Sequence, residues 1–244
     1  MLQRYFKNLY DRTMREAYNL AMQEIYSSLT NRGNVLDCGA NKGYMFNRLA
    51  EHTGLDKSHY FGLEWNQQMV DEAVKQNINV VQADLNQPIP HADKQFQCVF
   101  GLSVVEHLLN PCLYLRECYR VLDDGGRLIV LTPNISTYFT AVLILLGKMP
   151  SSGPHPDSEQ LLQQEELYNV RIGDDQPDIE SDTPVHRHLV VFSYRVLMSY
   201  MRLLGFKKVE GHGFGLYPFP NFMQPVLEKI DPWHCHQMVI IAEK

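Results

Sequence analysis

Residues 35–43 read VLDCGANKG, and this stretch decides the fold expected for the chain. An apolar run typical of a buried strand leads into glycines at positions 39 and 43, and an amphipathic, helix-like segment follows at once. Glycine lets the backbone turn tightly and approach a ligand, and a helix N-terminus offers unpaired N–H groups. Taken alone, the pattern fits a ligand-binding turn and a plain strand-to-helix turn equally well.

Further short runs rich in Val, Ile, Leu and Phe follow along the chain, and helix-like segments separate most of them. Such alternation predicts right-handed crossovers and a parallel sheet with helices on both faces. We therefore expect an α/β, Rossmann-like fold whose sheet is mostly parallel and has seven strands. The predicted strands are residues 34–38, 60–64, 79–84, 97–102, 127–132, 206–210 and 237–242. Ser193 is expected to cap the helix that ends at Gly205.

Residues 135–190 interrupt this alternation and are too many for an ordinary connection. We read 1–244 as a single domain in which 135–190 form an inserted cap or lid. The apolar segment 138–146 is expected to pack over the pocket, because it is too short to span a membrane and too apolar to lie in water. Residues 157–182 hold nine acidic residues against one arginine and are expected to stay in solvent.

Composition narrows the function classes. The chain is 45% hydrophobic and 20% charged, as in ordinary globular proteins, and its net charge of −6 disfavours a nucleic-acid substrate. The five cysteines form an odd set without a C-x-x-C pair, which indicates a reducing compartment rather than a disulfide framework. The N-terminal region has no continuous apolar core, and no apolar run approaches the ~20 residues of a membrane-spanning helix. We expect a soluble, cytoplasmic protein without a membrane span.

Two acidic residues stand at the ends of predicted strands, where the carboxyl edge of a parallel sheet binds its ligands. Glu64 ends the second strand, where a carboxylate can accept hydrogen bonds from both hydroxyls of a ribose. Asp84 ends the third strand, where it can accept a hydrogen bond from an adenine amino group. The spacing of these acids after the glycine turn favours an adenosine-containing ligand.

Several motifs follow one another along the chain: DCGANKG at 37–43, Glu64, Ala83-Asp84, FQCV at 96–99, Val105-Glu106-His107, LDDGGRLIV at 122–130 and Pro133-Asn134. In order and spacing, they resemble the motifs of class I S-adenosylmethionine-dependent methyltransferases, especially the small-molecule enzymes of ubiquinone and menaquinone biosynthesis. The resemblance covers residues 34–134 well and 190–244 loosely, and it implies S-adenosylmethionine as the cofactor and an antiparallel last strand.

The resemblance also implies which residues hold the cofactor. The 37–43 loop would hold its methionine end, Glu64 its ribose, Asp84 its adenine, and Leu102-Ser103 would lie near the sulfonium. Two residues depart from the family pattern: Asn41 replaces a common third glycine, which Asn's tolerance of left-handed backbone allows, and Gln97 replaces a common acid. The implied cofactor-binding set is Asp37, Gly39, Ala40, Asn41, Gly43, Glu64, Trp65, Asp84, Leu85, Leu102 and Ser103.

Three histidines are candidate catalytic bases for methyl transfer to a small-molecule acceptor, for which we favour oxygen and leave nitrogen and carbon open. His107 follows the fourth strand and either removes the acceptor's proton or packs against the next helix. His186 and His188 lie where the insert rejoins the core, although a histidine there is more often a surface residue. On the first predicted helix, Tyr10 is expected either to cover the ligand or to pack in the core.

We predict no metal site. The segment 233–236 (Trp-His-Cys-His) resembles a ligand set, but it lacks a fourth partner at zinc spacing and is interpreted as a strand edge. Two other functions were weighed: a nicotinamide-dependent dehydrogenase, which the absence of G-x-G-x-x-G disfavours, and an inactive methyltransferase-like partner subunit, which intact Glu64 and Asp84 disfavour. Oligomeric state and the acceptor's identity are not encoded in any motif.

Overall fold

A seven-stranded sheet with the order β3-β2-β1-β4-β5-β7-β6 forms the centre of the molecule. This computed structural model describes residues 2–29, 33–150, 152–158, 160–161 and 187–244. The strands are β1 (Val35–Cys38), β2 (Tyr60–Glu64), β3 (Val80–Gln82), β4 (Phe96–Leu102), β5 (Leu122–Pro133), β6 (Lys208–Phe214) and β7 (Gln237–Glu243). All seven predicted strands are confirmed, with bounds that differ by up to five residues.

Strands β1 to β5 run parallel, and β7 lies between β5 and β6 and is antiparallel to both. The predicted antiparallel last strand is therefore confirmed. Regular pairing of β5 with β4 starts at Arg127, opposite Cys98, after an irregular stretch that begins at Leu122. Because β1 to β4 are parallel, the residues that follow each of these strands meet at one edge of the sheet.

Helices cover both faces of the sheet, as the sequence predicts. On one face, Ala17 and Ile25 pack with Phe46 and Leu49 against the sheet, and on the other face the helices after β4 and before β6 form a second core. The helices are α1 (Leu2–Ser28), α2 (Tyr44–Thr53), α3 (Gln67–Lys75), α4 (Pro111–Val121), α5 (Tyr138–Leu145), α6 (Tyr194–Leu204) and α7 (Gln224–Ile230). Short 3₁₀ turns occupy Lys57–His59, Val105–His107 and Pro232–His234.

Helix α1 is joined to the region around α7 by buried polar contacts. The Arg12 guanidinium lies 2.8 Å from the Glu228 carboxylate, and both side chains are nearly inaccessible. Glu228 also accepts a hydrogen bond from the Gly215 amide at 2.7 Å, and the Tyr217 hydroxyl donates to Thr13 at 3.0 Å. These contacts hold the helix across the carboxyl edge of the sheet, where it forms one wall of the site.

Asn134, the residue after β5, is fully buried and joins three segments. Its side-chain amide donates to the carbonyl oxygens of Trp233 and Cys235, both at 2.8 Å. Its side-chain oxygen accepts from the Tyr194 amide at 3.1 Å, at the start of α6. Ser193 occupies the N-cap position of α6 as expected, but its side chain makes no capping bond, and Asn134 supplies the acceptor for the Tyr194 amide instead.

The apolar segment 138–146 does not pack as expected. It forms α5, of which Leu143 is buried, whereas Leu145 and Leu146 are 85% and 70% exposed. The helix is apolar on all sides and meets the body along one side only, so most of its apolar surface faces outward. In the described part of the chain, none of the helices has both the length and the apolar character needed to cross a membrane.

Candidate functional site

The turn between β1 and α2 has left-handed backbone at three positions. Gly39, Asn41 and Gly43 have φ angles of 83°, 49° and 76°, so Asn41 adopts the conformation expected for the glycine it replaces. The amides of Gly39 and Ala40 both donate to the carbonyl oxygen of Leu63, at 2.8 and 3.0 Å. The turn is therefore fixed against β2, and its backbone lies at the carboxyl edge of the sheet.

Glu64 is held in one orientation beside this turn. Its Oε2 accepts from the Asn41 amide and its Oε1 from the Asn66 amide, both at 2.9 Å. Each carboxylate oxygen has two acceptor positions, so Glu64 retains capacity for two hydroxyl donors. Backbone amides thus hold Glu64, the residue predicted to bind the ribose, in a fixed orientation.

Asp84 lies at the end of the neighbouring strand, and the Ala83 amide donates to the Glu64 carbonyl oxygen at 2.8 Å. Asp84 accepts from the amide and the side chain of Asn86 at 2.8 and 2.9 Å. Both bonds end on Oδ1, so the second carboxylate oxygen keeps its acceptor capacity for an amino group. Leu85 is buried beside it, whereas Trp65 is 74% exposed.

Asp37 lies beneath the turn rather than on its surface. It is buried, and its Oδ2 accepts a hydrogen bond from the Tyr60 hydroxyl at 2.6 Å. Burial raises the pKa of Asp37 to about 7, although the Tyr60 bond opposes that rise. The carboxyl group therefore supports the turn from below and is neutral over much of the acidic pH range.

Leu102 ends β4, and Ser103 follows it at the carboxyl edge of the sheet. Ser103 has a φ of 57°, unusual for a residue with a side chain, and its amide donates to the Leu131 carbonyl oxygen at 2.9 Å. Its hydroxyl hydrogen-bonds Tyr18 of α1, whose pKa is raised by burial. Helix α1 therefore reaches the point where the first four strands end.

A buried carboxyl group follows in the Val105–His107 turn. Glu106 is 2% exposed, and its Oε2 accepts from the Thr132 hydroxyl at 2.9 Å. Burial raises the pKa of Glu106 to about 7. The next residue, His107, donates from Nδ1 to the carbonyl oxygen of Arg187 at 3.0 Å, since a carbonyl can only accept.

His188 lies against His107, with 5.3 Å between the ring centroids. The His155 ring stacks on His188 at 4.8 Å, and the amide of His188 donates to Nδ1 of His155 at 3.3 Å. Burial, together with the neighbouring His155 and His107, lowers the pKa of His188 to about 3. The His188 imidazole is therefore neutral at physiological pH.

His236 completes this group of histidines from the other end of the chain. Its ring stacks on Tyr217 at 4.9 Å and meets Tyr10 edge-on at 6.1 Å. The Ser152 hydroxyl lies 3.1 Å from its Nδ1, and burial lowers its pKa to about 4. Tyr10, expected either to cover the ligand or to pack in the core, contacts this histidine at the edge of the site.

The structure brings His107 and His188 together, although they are far apart in the chain. Arg187, which precedes His188 and accepts the hydrogen bond from His107, lies 80 positions after His107. His186 lies outside the described residues, as does most of the acidic stretch 157–182. The strand-edge interpretation of residues 233–236 is wrong: a 3₁₀ turn ends at His234, whose Nδ1 lies 2.8 Å from both oxygens of Asp231.

Sequence reasoning missed four residues of this site: Glu106, His155, Tyr18 and His236. Glu106 belongs to the motif Val105-Glu106-His107, but the sequence does not show that its side chain is buried. Tyr18 recurs eight residues after Tyr10, a helical spacing that places both on one face of α1. No local pattern marks His155, and the segment 233–236 marked His236 only as part of a ligand set, because only the tertiary fold brings these two residues to His188 and Ser152.

Comparison with known proteins finds methyltransferases that are similar to this chain. Residues 36–130 match a family described as "Methyltransferase domain". The chain is 33% identical over 101 residues to the tRNA U34 carboxymethyltransferase of Nautilia profundicola, covering 39% of this chain and 33% of that protein. It is also 33% identical over 118 residues to the ubiquinone/menaquinone biosynthesis C-methyltransferase of Pseudomonas fluorescens, covering 38% of this chain and 44% of that enzyme.

The matched segment thus spans between a third and a half of the length of these relatives. A solved structure extends the likeness in fold to nearly the whole chain. It is a methyltransferase from Thermotoga maritima, described as S-adenosylmethionine-dependent and a possible histamine N-methyltransferase, with a TM-score of 0.54, 20% identity, and coverage of 98% of this chain and 96% of that one. Residues 36–130 are therefore similar in sequence to a methyltransferase domain, and the fold of nearly the whole chain is similar to that of a solved methyltransferase.

Proposed function

We propose that this protein transfers a methyl group from S-adenosylmethionine to an oxygen atom of a small-molecule acceptor, by in-line displacement. The cofactor supplies a methyl group that its sulfonium charge already activates. The observation that carries the proposal is the Glu64 carboxylate, which two backbone amides orient beside the left-handed turn after β1. Glu64 and Asp84, at adjacent strand ends, are placed for the adenosine of the cofactor, and the turn suits its short amino-acid tail.

The proposed cofactor site follows the carboxyl edge of the sheet from β3 to β4. The turn at 37–43 would take the methionine end, with Asp37 supporting it from beneath. Glu64 would bind the ribose, and Asp84 would take the adenine amino group, with Leu85 and the exposed Trp65 beside the base. Leu102 and Ser103 would lie nearest the reacting methyl group, next to Tyr18.

Positioning accounts for most of what this reaction asks of the protein. Holding donor and acceptor in line can contribute about 7 to 11 kcal/mol to lowering a barrier. The acceptor pocket would lie between Ser103 and the histidines, with α1 as one wall. Tyr10 and Tyr18 would exclude water there.

An oxygen acceptor is supported by the imidazoles beside this proposed pocket. A hydroxyl group must lose a proton when it is methylated, and a positioned base contributes about 10² to 10⁴ in rate. Nδ1 of His107 donates to a carbonyl oxygen, so Nε2 is the nitrogen of this ring that would accept the proton. The His188 ring is neutral at physiological pH, and His186 is a further candidate that lies outside the described residues.

We further propose that residues 1–244 act as one domain, with 135–190 as the cap over the acceptor. Contacts at both described ends of this insert support the assignment. Ser152 meets His236, and His155 and His188 meet each other beside His107. A cytoplasmic location is supported by the five cysteines, all of which are free thiols.

Calorimetry with S-adenosylmethionine, S-adenosylhomocysteine and NADH tests the cofactor assignment. We expect saturable binding of both sulfur ligands and none of NADH. Saturable NADH binding without a response to S-adenosylmethionine would favour the dehydrogenase and refute the proposal.

The acceptor is tested with S-adenosylmethionine that carries a deuterated methyl group, incubated with the protein and pools of small hydroxyl, amine and carbon-acid compounds. Mass spectrometry should find the labelled methyl group on a hydroxyl compound. Label on nitrogen or carbon would refute the oxygen assignment. Cofactor binding without transfer to any pool or to cell extract would favour the inactive partner subunit.

A further inference from the structure

Three side chains with metal-binding chemistry meet beside the pocket, and they come from distant parts of the chain. Glu106 and His107 belong to the turn after β4, and His188 to the end of the insert. One ligand atom from each lies within 4.8 Å of those of the other two. Ligands at ~2.0 to 2.2 Å from one tetrahedral zinc ion are about 3.3 to 3.6 Å apart, so the three groups would have to approach one another by up to about 1.5 Å on binding.

One ring nitrogen of this cluster lacks the partner that burial normally requires. Nδ1 of His188 is inaccessible to solvent and has no hydrogen-bond partner within the described ranges, although the same imidazole interacts with the backbone of Ser152. Buried polar nitrogens are almost always satisfied, so such an atom calls for an explanation. A metal ion bound between His188 and its two neighbours would give this nitrogen a partner.

The surroundings of the three groups have the form of a metal site's outer shell. Ligand imidazoles usually donate their other N–H to a carbonyl or carboxylate, which orients the ring. His107 makes such a bond to Arg187, and the Thr132 hydroxyl fixes the Glu106 carboxylate. The stacked His155 ring holds His188 in place.

We propose that Glu106, His107 and His188 bind one divalent transition-metal ion of the zinc, iron(II) or manganese class. Two imidazoles and one carboxylate suit these ions better than magnesium or calcium, which prefer oxygen ligands throughout. Three protein ligands leave coordination positions open, as in catalytic rather than structural sites. The sequence predicted no metal site at this cluster, because the one segment that resembled a ligand set, 233–236, contains none of these three residues.

The cluster lies beside the proposed acceptor pocket, so the open positions would be available to the acceptor; this part of the inference rests on the proposed function. A hydroxyl or phenol oxygen bound to the ion would release its proton to solvent at a lower pH, as metal-bound water does. The resulting oxygen anion would form the new bond to the methyl carbon as the bond from that carbon to the sulfonium sulfur breaks, and the sulfur would keep the electron pair. His107 and His188 would then serve as ligands, and the ion would replace a side-chain base. The acceptor class becomes a compound whose hydroxyl group can coordinate a metal.

The test titrates the metal-free chain with Zn²⁺ by calorimetry and with Co²⁺ by visible absorption. We expect one ion per chain and d–d bands typical of four or five ligands. His188→Ala, His107→Ala and Glu106→Gln should weaken Zn²⁺ binding by more than the ~10- to 100-fold that outer-shell substitutions cause. Circular dichroism checks that each variant folds, and His188→Gln serves as a second variant should His188→Ala fail to fold.

His234→Ala is the matched control, since this imidazole pairs with Asp231 outside the cluster. It should bind Zn²⁺ as the unaltered chain does. Loss of binding in this variant with retention in His188→Ala would overturn the proposal, as would weak binding that no variant changes. Calorimetry with S-adenosylhomocysteine separates the two ideas: cofactor binding without metal binding refutes only the metal site, and metal binding without cofactor binding refutes only the proposed function.

Discussion

Replacing Asp37 with asparagine should change how the free energy of unfolding depends on pH. Asp37 is buried, and its pKa is raised from 3.8 to about 7 in the folded protein. Between these values the folded state binds a proton that the unfolded state has released, so stability falls as pH rises. The stability is fully present below about pH 4 and is lost by the time the pH exceeds about 7.

The magnitude follows from the two pKa values. A difference of about three units corresponds to about 4 kcal/mol over the whole range, of which about 2 to 3 kcal/mol falls between pH 5 and pH 8. The asparagine side chain does not titrate, so it would have no such dependence, and it still offers an oxygen to the Tyr60 hydroxyl. The Asp37→Asn variant should therefore gain about 2 to 3 kcal/mol relative to the original chain on going from pH 5 to pH 8.

Urea unfolding followed by circular dichroism, at pH 5 and pH 8 and without cofactor, measures this difference. Glu106, the other buried acid whose pKa is raised to about 7, is present in both proteins, so its contribution cancels. Tyr60→Phe removes the bond that lowers the pKa of Asp37, and should make the stability fall more steeply with pH. Parallel pH curves for the original chain and Asp37→Asn would refute the reasoning.

Three further changes test the site and its support. Glu64→Gln should weaken S-adenosylhomocysteine binding by about 1.5 to 3 kcal/mol, typical of a hydrogen bond to a charged group, and unchanged affinity in calorimetry would exclude Glu64 as the ribose ligand. Gly39→Ala should lower the free energy of unfolding in urea by about 2 to 4 kcal/mol, because the backbone there is left-handed and the added Cβ would lie 2.8 Å from the Val104 side chain. Gly54 is also left-handed but has open space around it, so Gly54→Ala should cost only about 1 to 2 kcal/mol. Equal costs would refute the argument from the contact. Glu228→Gln breaks the buried ion pair with α1 and should lower the free energy of unfolding by about 3 to 5 kcal/mol in the same assay. The control Glu210→Gln, at the surface, should lower it by less than about 1 kcal/mol. A small loss at Glu228 would show that the buried pair contributes little to stability.

The sheet was predictable because its information is local. Buried strands alternate with amphipathic helices, and a turn such as residues 39–43 carries its own conformational signature. Glu64 and Asp84 were predictable as candidates because strand ends meet at one edge in a parallel sheet. That argument depends on chain order and not on distant contacts.

Other features depend on contacts between distant segments, and no local pattern marks them. The pairing of His188 with His155 and the burial of Glu106 arise only when the insert returns to the turn after β4. Asn134 takes over the capping role assigned to Ser193 because the fold brings its side-chain oxygen to the Tyr194 amide. Because residues 138–146 are apolar, the sequence predicted that they would be buried. Helix α5 meets the rest of the molecule along one side only, so the residues on its other sides stay exposed.

The contacts between α1 and the region around α7 have a consequence for the order in which the molecule folds. Arg12 and Glu228 are 216 positions apart, so nearly the whole chain must be available before this pair can form. Contacts of such high sequence separation close large loops and tend to form late. The parallel strands can pair while Tyr10 and Tyr18 still lack their place on the sheet. We therefore expect the region of the proposed acceptor pocket to be the last part of the molecule to assemble during synthesis.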